Sequence, residues 1–479
     1  MDRMSFDFER KQRIAIIGGG PGGYEAALAG AQLGAEVTIV ESTGVGGSAV
    51  LTDVVPSKTL IATADAARAI EDAGDLGVQF FARGEKGKPL KPEVAINLLA
   101  INKRILALAG QQSEDMRARL IEEGVTIISG HGRLEGDDAV VVSTGPDGTD
   151  FDRIEADTII VSVGASPREL PTAKPDGDRI LTWKQMYNMS AVPEHLIVVG
   201  SGVTGAEFAS AYMNLGAKVT LVSSREQVLP GEDADAARVL ENVFTRGGMT
   251  LLAKSRAQSV ENTGDGVVVA LADGSSVEGS HCLMAVGGVP NTEGLGLEDA
   301  GVQLEESGHI RVNKVGRTSI PNIYAVGDCT NLVPLASVSS MLGRTAVFHA
   351  MGDSVIPFSK HKIASNIFTS PEIATVGFTN DAKNAIEIKL DLEENPRAKM
   401  MGIKDGFVKL FARNLSGTVV GGVVIAPKAS ELIFPIAMAV ERRLTVDQVA
   451  RVFTAYPSLA GSITDAARAM HGISTRGEE

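Results

Sequence analysis

The chain has 479 residues, of which 44% are hydrophobic and 22% charged, and it contains 53 glycines. These values are typical of a globular protein with about three domains. The formal net charge of -14 argues against a nucleic-acid partner, because phosphate binding requires clustered lysine and arginine. The two cysteines, Cys282 and Cys329, lie far apart in unrelated contexts, which excludes a disulfide framework and a CxxC motif.

No apolar segment approaches the roughly 20 residues that a membrane-spanning helix requires. The N-terminal residues are polar and lack the apolar core of a signal peptide. We therefore expect a cytoplasmic protein without a transmembrane segment. The histidines are scattered without the spacing of metal ligands, so no metal site is predicted.

The first predicted strand, residues 13–17, ends in a turn that carries GxGxxG at Gly18, Gly20 and Gly23. An alanine-rich helix and a second strand, residues 36–40, follow. This order is that of a Rossmann fold, in which the first glycine forms the turn, the second lets the backbone approach a pyrophosphate, and the third lets helix and strand pack. The N-terminus of the helix attracts the phosphate anion.

The same pattern recurs further along the chain. Subtracting 182 from the numbers of Gly200, Gly202 and Gly205 gives the three glycines of the first motif, and residues 215–222 match residues 33–40 at the same offset. Because both copies lie between a strand and a helix, we predict two homologous nucleotide-binding folds.

The residue at the end of the second strand faces the adenosine ribose. In the first copy it is Glu41, whose carboxylate accepts hydrogen bonds from a free 2′-hydroxyl, so both FAD and NAD fit. In the second copy the corresponding residues are Ser223, Ser224 and Arg225, which suit a 2′-phosphate. We therefore predict FAD in the first site and NADPH in the second, while the neighbouring acidic Glu226 keeps NADH open.

Two later strands end in turns that suit a flavin. Residues 157–164 end in Gly164, and residues 323–329 contain Asp328 after a glycine. We expect Asp328 to hold the ribityl hydroxyls, and the helix that begins near Ala336 to stabilise negative charge on the flavin.

These motifs, together with Pro56-Ser57-Lys58, residues 285–291 and residues 429–432 in the same order, resemble the pyridine nucleotide-disulfide oxidoreductase family, especially dihydrolipoamide dehydrogenase. The resemblance implies an α/β fold with two Rossmann-like dinucleotide-binding domains, a C-terminal α+β dimerisation domain and a homodimer. The implied ranges are 1–165 for the first part of the FAD-binding domain, 166–290 for the NAD(P)-binding domain, 291–355 for the second part of the FAD-binding domain and 356–479 for the dimerisation domain.

The predicted site residues combine these motifs with positions that the resemblance implies. The FAD set is Gly18, Gly20, Pro21, Gly23, Glu41, Gly47, Lys58, Gly132, Ser162, Gly164, Asp328 and Ala336. The NAD(P) set is Gly200, Gly202, Gly205, Glu207, Ser223, Ser224, Arg225 and Gly287. The catalytic set is Lys58, Glu207 and Tyr456.

The chain departs from the family at the redox centre. The two cysteines of the family, separated by four residues, fall on Ala49 and Val54, and its C-terminal His-Glu dyad falls on Tyr456 and Gly461. Dithiol exchange requires a thiolate and a nearby base, and this chain has lost both while the nucleotide motifs are intact. The pattern most closely resembles the actinobacterial NAD(P)H quinone reductases that lack the disulfide.

We therefore expect an NAD(P)H dehydrogenase (quinone)-type enzyme that passes hydride from NADPH or NADH through FAD to a quinone or dye. The resemblance implies that Lys58 and Glu207 pair beside the flavin. Tyr456 is expected either to donate a hydrogen bond to the acceptor of the partner subunit or to pack at the subunit interface. Two alternatives remain: a soluble pyridine nucleotide transhydrogenase, and a non-catalytic protein that keeps FAD as a structural core.

Overall fold

The computed structural model describes residues 11–81, 89–90, 94–145, 151–378 and 385–474. Residues 1–10, which carry most of the signal-peptide argument, lie outside this part. The chain divides into two compact units. The first unit consists of Met1–Pro56, Ile105–Arg168 and Gly288–Ser359, and the second of Ser57–Arg104, Glu169–Gly287 and Lys360–Glu479.

The strands of the described residues are β1 (Arg13–Ile17), β2 (Glu36–Glu41), β3 (Thr126–Ser129), β4 (His131–Glu135), β5 (Ala139–Ser143), β6 (Phe151–Glu155), β7 (Thr158–Val161), β8 (Ala165–Pro167), β9 (Ile180–Leu181), β10 (His195–Val199), β11 (Lys218–Val222), β12 (Thr250–Leu252), β13 (Ala257–Asn262), β14 (Val267–Leu271), β15 (Ser276–Gly279), β16 (His281–Met284), β17 (Gly288–Pro290), β18 (Ile323–Ala325), β19 (Ala364–Ile367), β20 (Glu372–Gly377), β21 (Ala385–Asp391), β22 (Phe407–Arg413) and β23 (Val419–Ala426).

The α-helices of the same residues are α1 (Pro21–Gln32), α2 (Gly47–Leu51), α3 (Val54–Asp72), α4 (Leu98–Glu122), α5 (Val203–Asn214), α6 (Ala234–Arg246), α7 (Ala336–Ala350), α8 (Pro396–Met400), α9 (Ala429–Arg442), α10 (Val446–Ala450) and α11 (Gly461–Ser474). Short 3₁₀ turns cover Ala73–Leu76, Met186–Asn188, Lys360–Lys362 and Leu392–Glu394.

The first unit is built on a parallel sheet in the order β18-β7-β1-β2-β3. Its central strands are buried almost throughout, as expected where a parallel sheet is covered on both faces. Helices α1 and α7 pack closely, because a Cβ on Gly343 would lie 2.1 Å from the carbonyl oxygen of Gly22. An antiparallel sheet, β4-β5-β6, completes this core.

The second unit contains an equivalent parallel sheet in the order β12-β11-β10-β16-β9, with the antiparallel sheet β13-β14-β15 beside it. In both parallel sheets the first strand of the repeat lies beside the second strand, and a later strand pairs on its other side. The predicted pair of Rossmann-like folds is therefore confirmed.

The C-terminal part of the second unit is an antiparallel sheet, β19-β20-β23-β22-β21, whose core is shared with α9, α10 and α11. The predicted α+β character of this region is confirmed, while the four predicted domain ranges stay predictions. Within the described residues, no helix is long and apolar enough to cross a membrane.

Candidate functional site

The first glycine of each motif forms the tight turn that the sequence predicts. Gly18 and Gly200 have φ of +98° and +112°, a left-handed conformation that favours glycine. A Cβ would lie 2.3 Å from the Ser162 carbonyl oxygen in the first fold and 2.1 Å from that of Ala285 in the second. Neither position accepts another residue without a shift of the backbone.

The second and third glycines differ in their surroundings, as their predicted roles require. A Cβ on Gly23 or Gly205 would lie 1.9 Å or 1.8 Å from the carbonyl oxygen of the first glycine. A Cβ on Gly20 would have one described neighbour, 3.9 Å away, and a Cβ on Gly202 would have none within 4 Å. The space beside the second glycine therefore suits a pyrophosphate that approaches the backbone.

The helices that follow these turns have uncapped N-termini. Gly20 and Gly202 are the N-cap residues of α1 and α5, and neither helix has a side-chain cap. Pro21 occupies the first position of α1, where its missing N–H costs nothing. In α1 the Gly23 N–H is bound by the Ser162 hydroxyl, so the positive end of the helix dipole and the remaining backbone N–H groups favour an anion at both places.

Glu41 lies at the end of β2 and is buried. Its Oε2 accepts the Gly19 N–H at 2.6 Å, while its Oε1 accepts the N–H groups of Thr43 and Gly44 and the Thr43 hydroxyl. Oε2 has two lone pairs and only the Gly19 N–H as a donor among the described residues, so it keeps one acceptor position for a ribose hydroxyl.

The remaining predicted FAD residues of the first unit surround the same edge of its sheet. Ser162 follows β7, and its hydroxyl accepts the N–H of Gly23 at 3.0 Å. A Cβ on Gly47 would lie 3.0 Å from the Gly20 Cα, so this turn approaches the first glycine loop closely. Gly132 packs over β1 and β2, and Gly164 follows β7.

Asp328 follows β18 in the first unit, and its carboxylate has no hydrogen-bond donor among the described residues. Burial raises the pKa of Asp328, and the nearby His309 lowers it only in part. A half-buried carboxylate without donors suits hydroxyl groups of a ligand. Ala336 is the first residue of α7, as the sequence predicts, and the N-cap residue of α7 makes no side-chain cap.

Ser223 follows β11 directly and is buried, whereas Ser224 and Arg225 are exposed. The Ser223 hydroxyl lies 2.7 Å from that of Ser201 and accepts the Arg225 N–H at 3.1 Å. The Arg225 guanidinium forms no ion pair within the described part of the chain. Gly287 lies beyond the end of β16, and no described atom lies within 4 Å of the position of its Cβ.

Lys58 and Glu207 form an ion pair in the second unit. Lys58 Nζ lies 2.8 Å from Glu207 Oε2, and their side chains are 26% and 4% exposed. Glu207 Oε1 accepts the N–H of Phe368 at 2.9 Å, and Lys58 Nζ lies 5.0 Å from the centroid of the Phe368 ring. The carboxylate and the ring therefore fix the lysine side chain from two sides.

The positions that replace the family's redox residues contain no nucleophile. Ala49 lies in α2, and Val54 begins α3. Tyr456, in place of the histidine, is 85% exposed and forms no side-chain hydrogen bond with the described residues. The three predicted catalytic roles stay predictions.

The two cysteines are buried and unpaired with each other. Burial raises the pKa of Cys329 to about 11 and raises that of Cys282 still further. Since the thiolate is the reactive form, neither thiol is suited to dithiol exchange at neutral pH. Among the described residues, no group of three or more His, Cys, Asp and Glu side chains is arranged to hold a metal ion.

Three residues that contact the predicted site residues were not predicted from the sequence: Ser201, Phe368 and Lys254. Ser201 could have been found, because it is the counterpart of Gly19 at the 182-residue offset. Phe368 and Lys254 gave no local signal, since each reaches its partners only through the fold. Lys254 donates its N–H to the Arg225 carbonyl oxygen at 2.8 Å.

Comparison with known proteins gives the assignment. The sequence profile described as pyridine nucleotide-disulphide oxidoreductase matches residues 12–349, and the profile of its dimerisation domain matches residues 363–467. The chain belongs to the pyridine nucleotide-disulphide oxidoreductase family. The resemblance predicted from the motifs is thereby confirmed, and the chain is an oxidoreductase. Membership implies the use of a flavin and of NAD(P)H.

Individual relatives span almost the whole chain. A Mycobacterium tuberculosis protein named NAD(P)H dehydrogenase (quinone) is 49% identical over 469 residues, which cover 95% of this chain and 93% of that protein. Dihydrolipoyl dehydrogenase 2 of Haloarcula marismortui is 31% identical and matches over 96% of both chains. The crystal structure of LpdA from M. tuberculosis superposes with a TM-score of 0.90 at 48% identity, covering 96% of this chain and 99% of that one.

Proposed function

We propose that this chain is an FAD-dependent oxidoreductase that transfers hydride from NAD(P)H through the flavin to a quinone or a similar small acceptor, without a redox disulfide. One observation carries the proposal. The glycine motifs of both nucleotide folds are present, while Ala49 and Val54 stand where the family has its cysteines. The quinone is inferred from the name of the M. tuberculosis relative, at 49% identity.

The first unit supplies the residues that would hold FAD. The backbone of Gly18, Gly20 and the start of α1 would bind the pyrophosphate, and Glu41 would accept the ribose hydroxyls. Asp328 would accept hydrogen bonds from the ribityl chain. When bound, the flavin accepts hydride from NAD(P)H and delivers two electrons to the acceptor.

Lys58 is proposed to stand beside the flavin, as the resemblance implies. Glu207 holds the ammonium group at 2.8 Å, so the cation is already oriented before a substrate binds. A positive charge fixed in this way stabilises negative charge that develops on a bound ring system without reorganisation.

The second fold is proposed to bind NADPH in preference to NADH. Ser223 and Ser224 provide hydroxyl groups and Arg225 a guanidinium at the place where a ribose 2′-phosphate would lie. NADH remains the alternative substrate, because the site contains no group that would exclude it.

We further propose a homodimer, to which Tyr456 of each subunit contributes at the acceptor site of the other. The matched dimerisation profile supports this assembly, and so do exposed apolar side chains. Phe434 and Met438, four residues apart on α9, are 65% and 45% exposed and share one face of the helix. A cytoplasmic location stays a prediction from the sequence.

Anaerobic stopped-flow absorbance of the FAD-loaded protein tests the function. NADPH or NADH should bleach the flavin absorbance, and menadione, but not lipoamide, should restore it. Restoration by a second nicotinamide alone would point instead to a transhydrogenase, and a flavin that neither nucleotide bleaches would point to a structural cofactor.

A cysteine-free variant tests the absence of thiol chemistry. Cys282→Ala/Cys329→Ala should reduce menadione at the wild-type rate, because both thiols are buried and protonated. N-ethylmaleimide added to the NADPH-reduced wild type should likewise have no effect. A rate that falls with either treatment, in protein that retains FAD, would contradict the proposed mechanism.

A further inference from the structure

The turn after β12 lies at the edge of the second sheet where a dinucleotide would bind. β12 runs parallel to β11 and pairs Leu252 with Val222, so the carboxyl ends of the two strands coincide. The Lys254 N–H donates to the Arg225 carbonyl oxygen at 2.8 Å, and the Ser255 N–H donates to that of Ser223 at 2.7 Å. Ligands of open α/β sheets bind at this end of the strands.

Lys254 has a backbone conformation that is uncommon for a lysine. Its φ is +55°, in the left-handed region that glycine and asparagine adopt most readily. The chain thus has a long cationic side chain at a backbone position that would suit glycine or asparagine. Strained conformations of this kind are frequent at ligand-binding sites.

Lys254 forms an exposed ion pair with Glu226 that another anion could displace. Its Nζ lies 2.7 Å from Glu226 Oε1, and the two side chains are 68% and 81% exposed. The hydrogen bond from Lys254 lowers the pKa of Glu226, so this carboxylate is charged at neutral pH. Exposed ion pairs are weak, and a phosphate dianion can therefore compete with Glu226 for the ammonium.

The first nucleotide fold provides an internal comparison. There the Gly130 N–H donates to the Glu41 carbonyl oxygen, as the Ser255 N–H donates to that of Ser223 in the second fold. The strand registers align Ile128 with Leu252, so Ser129 alone precedes Gly130 in the first fold, where Ala253 and Lys254 precede Ser255 in the second. The first fold therefore has the Glu41 carboxylate beside the neutral Ser129. The second fold has the Ser223 hydroxyl beside the cationic Lys254.

We propose that Lys254 binds the 2′-phosphate of NADPH together with Arg225, and that Glu226 holds the Lys254 ammonium until the phosphate displaces it. This inference rests on the proposed use of a pyridine nucleotide by the second fold and adds the residue that selects the phosphorylated form. Lys254 acts on binding and has no part in hydride transfer.

Isothermal titration of the FAD-loaded protein with 2′,5′-ADP and with 5′-ADP tests the proposal. Lys254→Gln should weaken the binding of 2′,5′-ADP by about tenfold or more, which corresponds to one charge-assisted hydrogen bond. The affinity for 5′-ADP should stay nearly unchanged. Glu226→Gln should raise the affinity for 2′,5′-ADP severalfold, because the Lys254 ammonium then has no carboxylate that competes with the phosphate.

Lys218→Gln is the matched control. Lys218 is an exposed lysine at the start of β11, at the opposite edge of the same sheet, and its replacement should alter neither affinity. The proposal is overturned if Lys254→Gln binds 2′,5′-ADP as the wild type does, or if it weakens both ligands equally. Neither readout requires flavin turnover, so a failure to reduce quinone would count against the proposed function and not against this phosphate site.

Discussion

The hydroxyl oxygens of Ser201 and Ser223 lie 2.7 Å apart in the second nucleotide fold. The residues 182 positions earlier are Gly19 and Glu41, and there the Gly19 N–H donates to the Glu41 carboxylate. A Cβ on Gly19 would lie 3.0 Å from Glu41 Oε2. The longer acidic side chain thus lies tight against glycine, whereas two serines fit together, so we expect the two positions to be coupled.

This coupling predicts that the nucleotide preference of the second fold can be reversed by a double substitution. Ser201→Gly/Ser223→Glu should bring a carboxylate to the adenosine ribose, where it accepts the 2′-hydroxyl of NADH and repels the 2′-phosphate of NADPH. We expect kcat/KM for NADPH to fall by at least about tenfold, equivalent to about 1.4 kcal/mol. Steady-state menadione reduction with each nucleotide measures the change.

The single variant Ser223→Glu is the control for that experiment. Ser201 then crowds the new carboxylate, so this variant should lose NADPH activity without gaining the NADH activity of the double variant. Equal NADH kinetics in the single and double variants would mean that the two positions are independent.

The Lys58–Glu207 pair should combine a structural and a chemical contribution. Lys58→Met leaves the buried Glu207 carboxylate with the Phe368 N–H as its remaining donor among the described residues, and we expect a loss of about 1–3 kcal/mol in the free energy of unfolding. Flavin reduction by NADPH should slow by more than about tenfold if the cation stabilises charge on the flavin. Denaturant unfolding and stopped-flow absorbance measure the two effects.

The double variant Lys58→Met/Glu207→Gln separates these contributions. A neutral amide needs no counter-charge, so stability should recover while flavin reduction stays slow. If the rate recovers together with the stability, the role of Lys58 is to support the fold alone.

Asp328 should stabilise the FAD-bound protein but destabilise the apoprotein. Burial raises its pKa, so the folded state binds a proton at this carboxyl more tightly than the unfolded chain does. The destabilisation is therefore full above the raised pKa and disappears as pH falls towards the ordinary aspartate value of about 3.9. Asp328→Asn apoprotein should be more stable than wild type at pH 7, and this difference should shrink at about pH 4, near the ordinary aspartate value.

Chemical denaturation of both apoproteins at the two pH values checks this prediction. The holoproteins provide the opposite comparison, since Asp328→Asn should release FAD more readily when the hydroxyl groups of the cofactor lose a charged acceptor. A stability difference that stays constant from pH 7 down to about pH 4 would contradict a raised pKa of Asp328 in the folded apoprotein.

Features that depend on neighbouring residues could be predicted from the sequence. The turns at Gly18 and Gly200 and the strand-end positions of Glu41 and Ser223 follow from motif order and from the internal repeat, because a Rossmann unit places each within a short stretch of chain. The fold class followed from the same repeat. The loss of the two redox cysteines could also be predicted, from Ala49 and Val54 at their positions.

Contacts between distant segments could not be predicted in this way. Phe368 donates to Glu207 across 161 positions, and Lys254 meets Arg225 only because β12 lies beside β11. No periodicity or motif encodes these approaches. The proposed role of Tyr456 depends on a second subunit, which one sequence does not describe.

A buried charge cluster joins α6 to β22 in the second unit. Lys409 Nζ lies 2.8 Å from both Asp233 Oδ2 and Asp235 Oδ2, and the side chains of Lys409 and Asp233 are 4% and 2% exposed. Lys409→Met would leave Asp233 as an uncompensated buried charge, which should cost about 3–5 kcal/mol in the free energy of unfolding. Urea unfolding followed by circular dichroism measures this loss.

The double variant Lys409→Met/Asp233→Asn should recover most of that stability. Asparagine removes the charge and still caps α6, as Asp233 does by accepting the N–H groups of Asp235 and Ala236.

The dependence of stability on alkaline pH tests the same cluster. Burial lowers the pKa of Lys409, but hydrogen bonds to the two aspartates outweigh it and raise the pKa. Wild type should therefore keep its advantage over Lys409→Met up to about pH 10 and lose it as pH rises through the raised value; an advantage already lost by pH 9 would mean that the ammonium is not stabilised by these carboxylates.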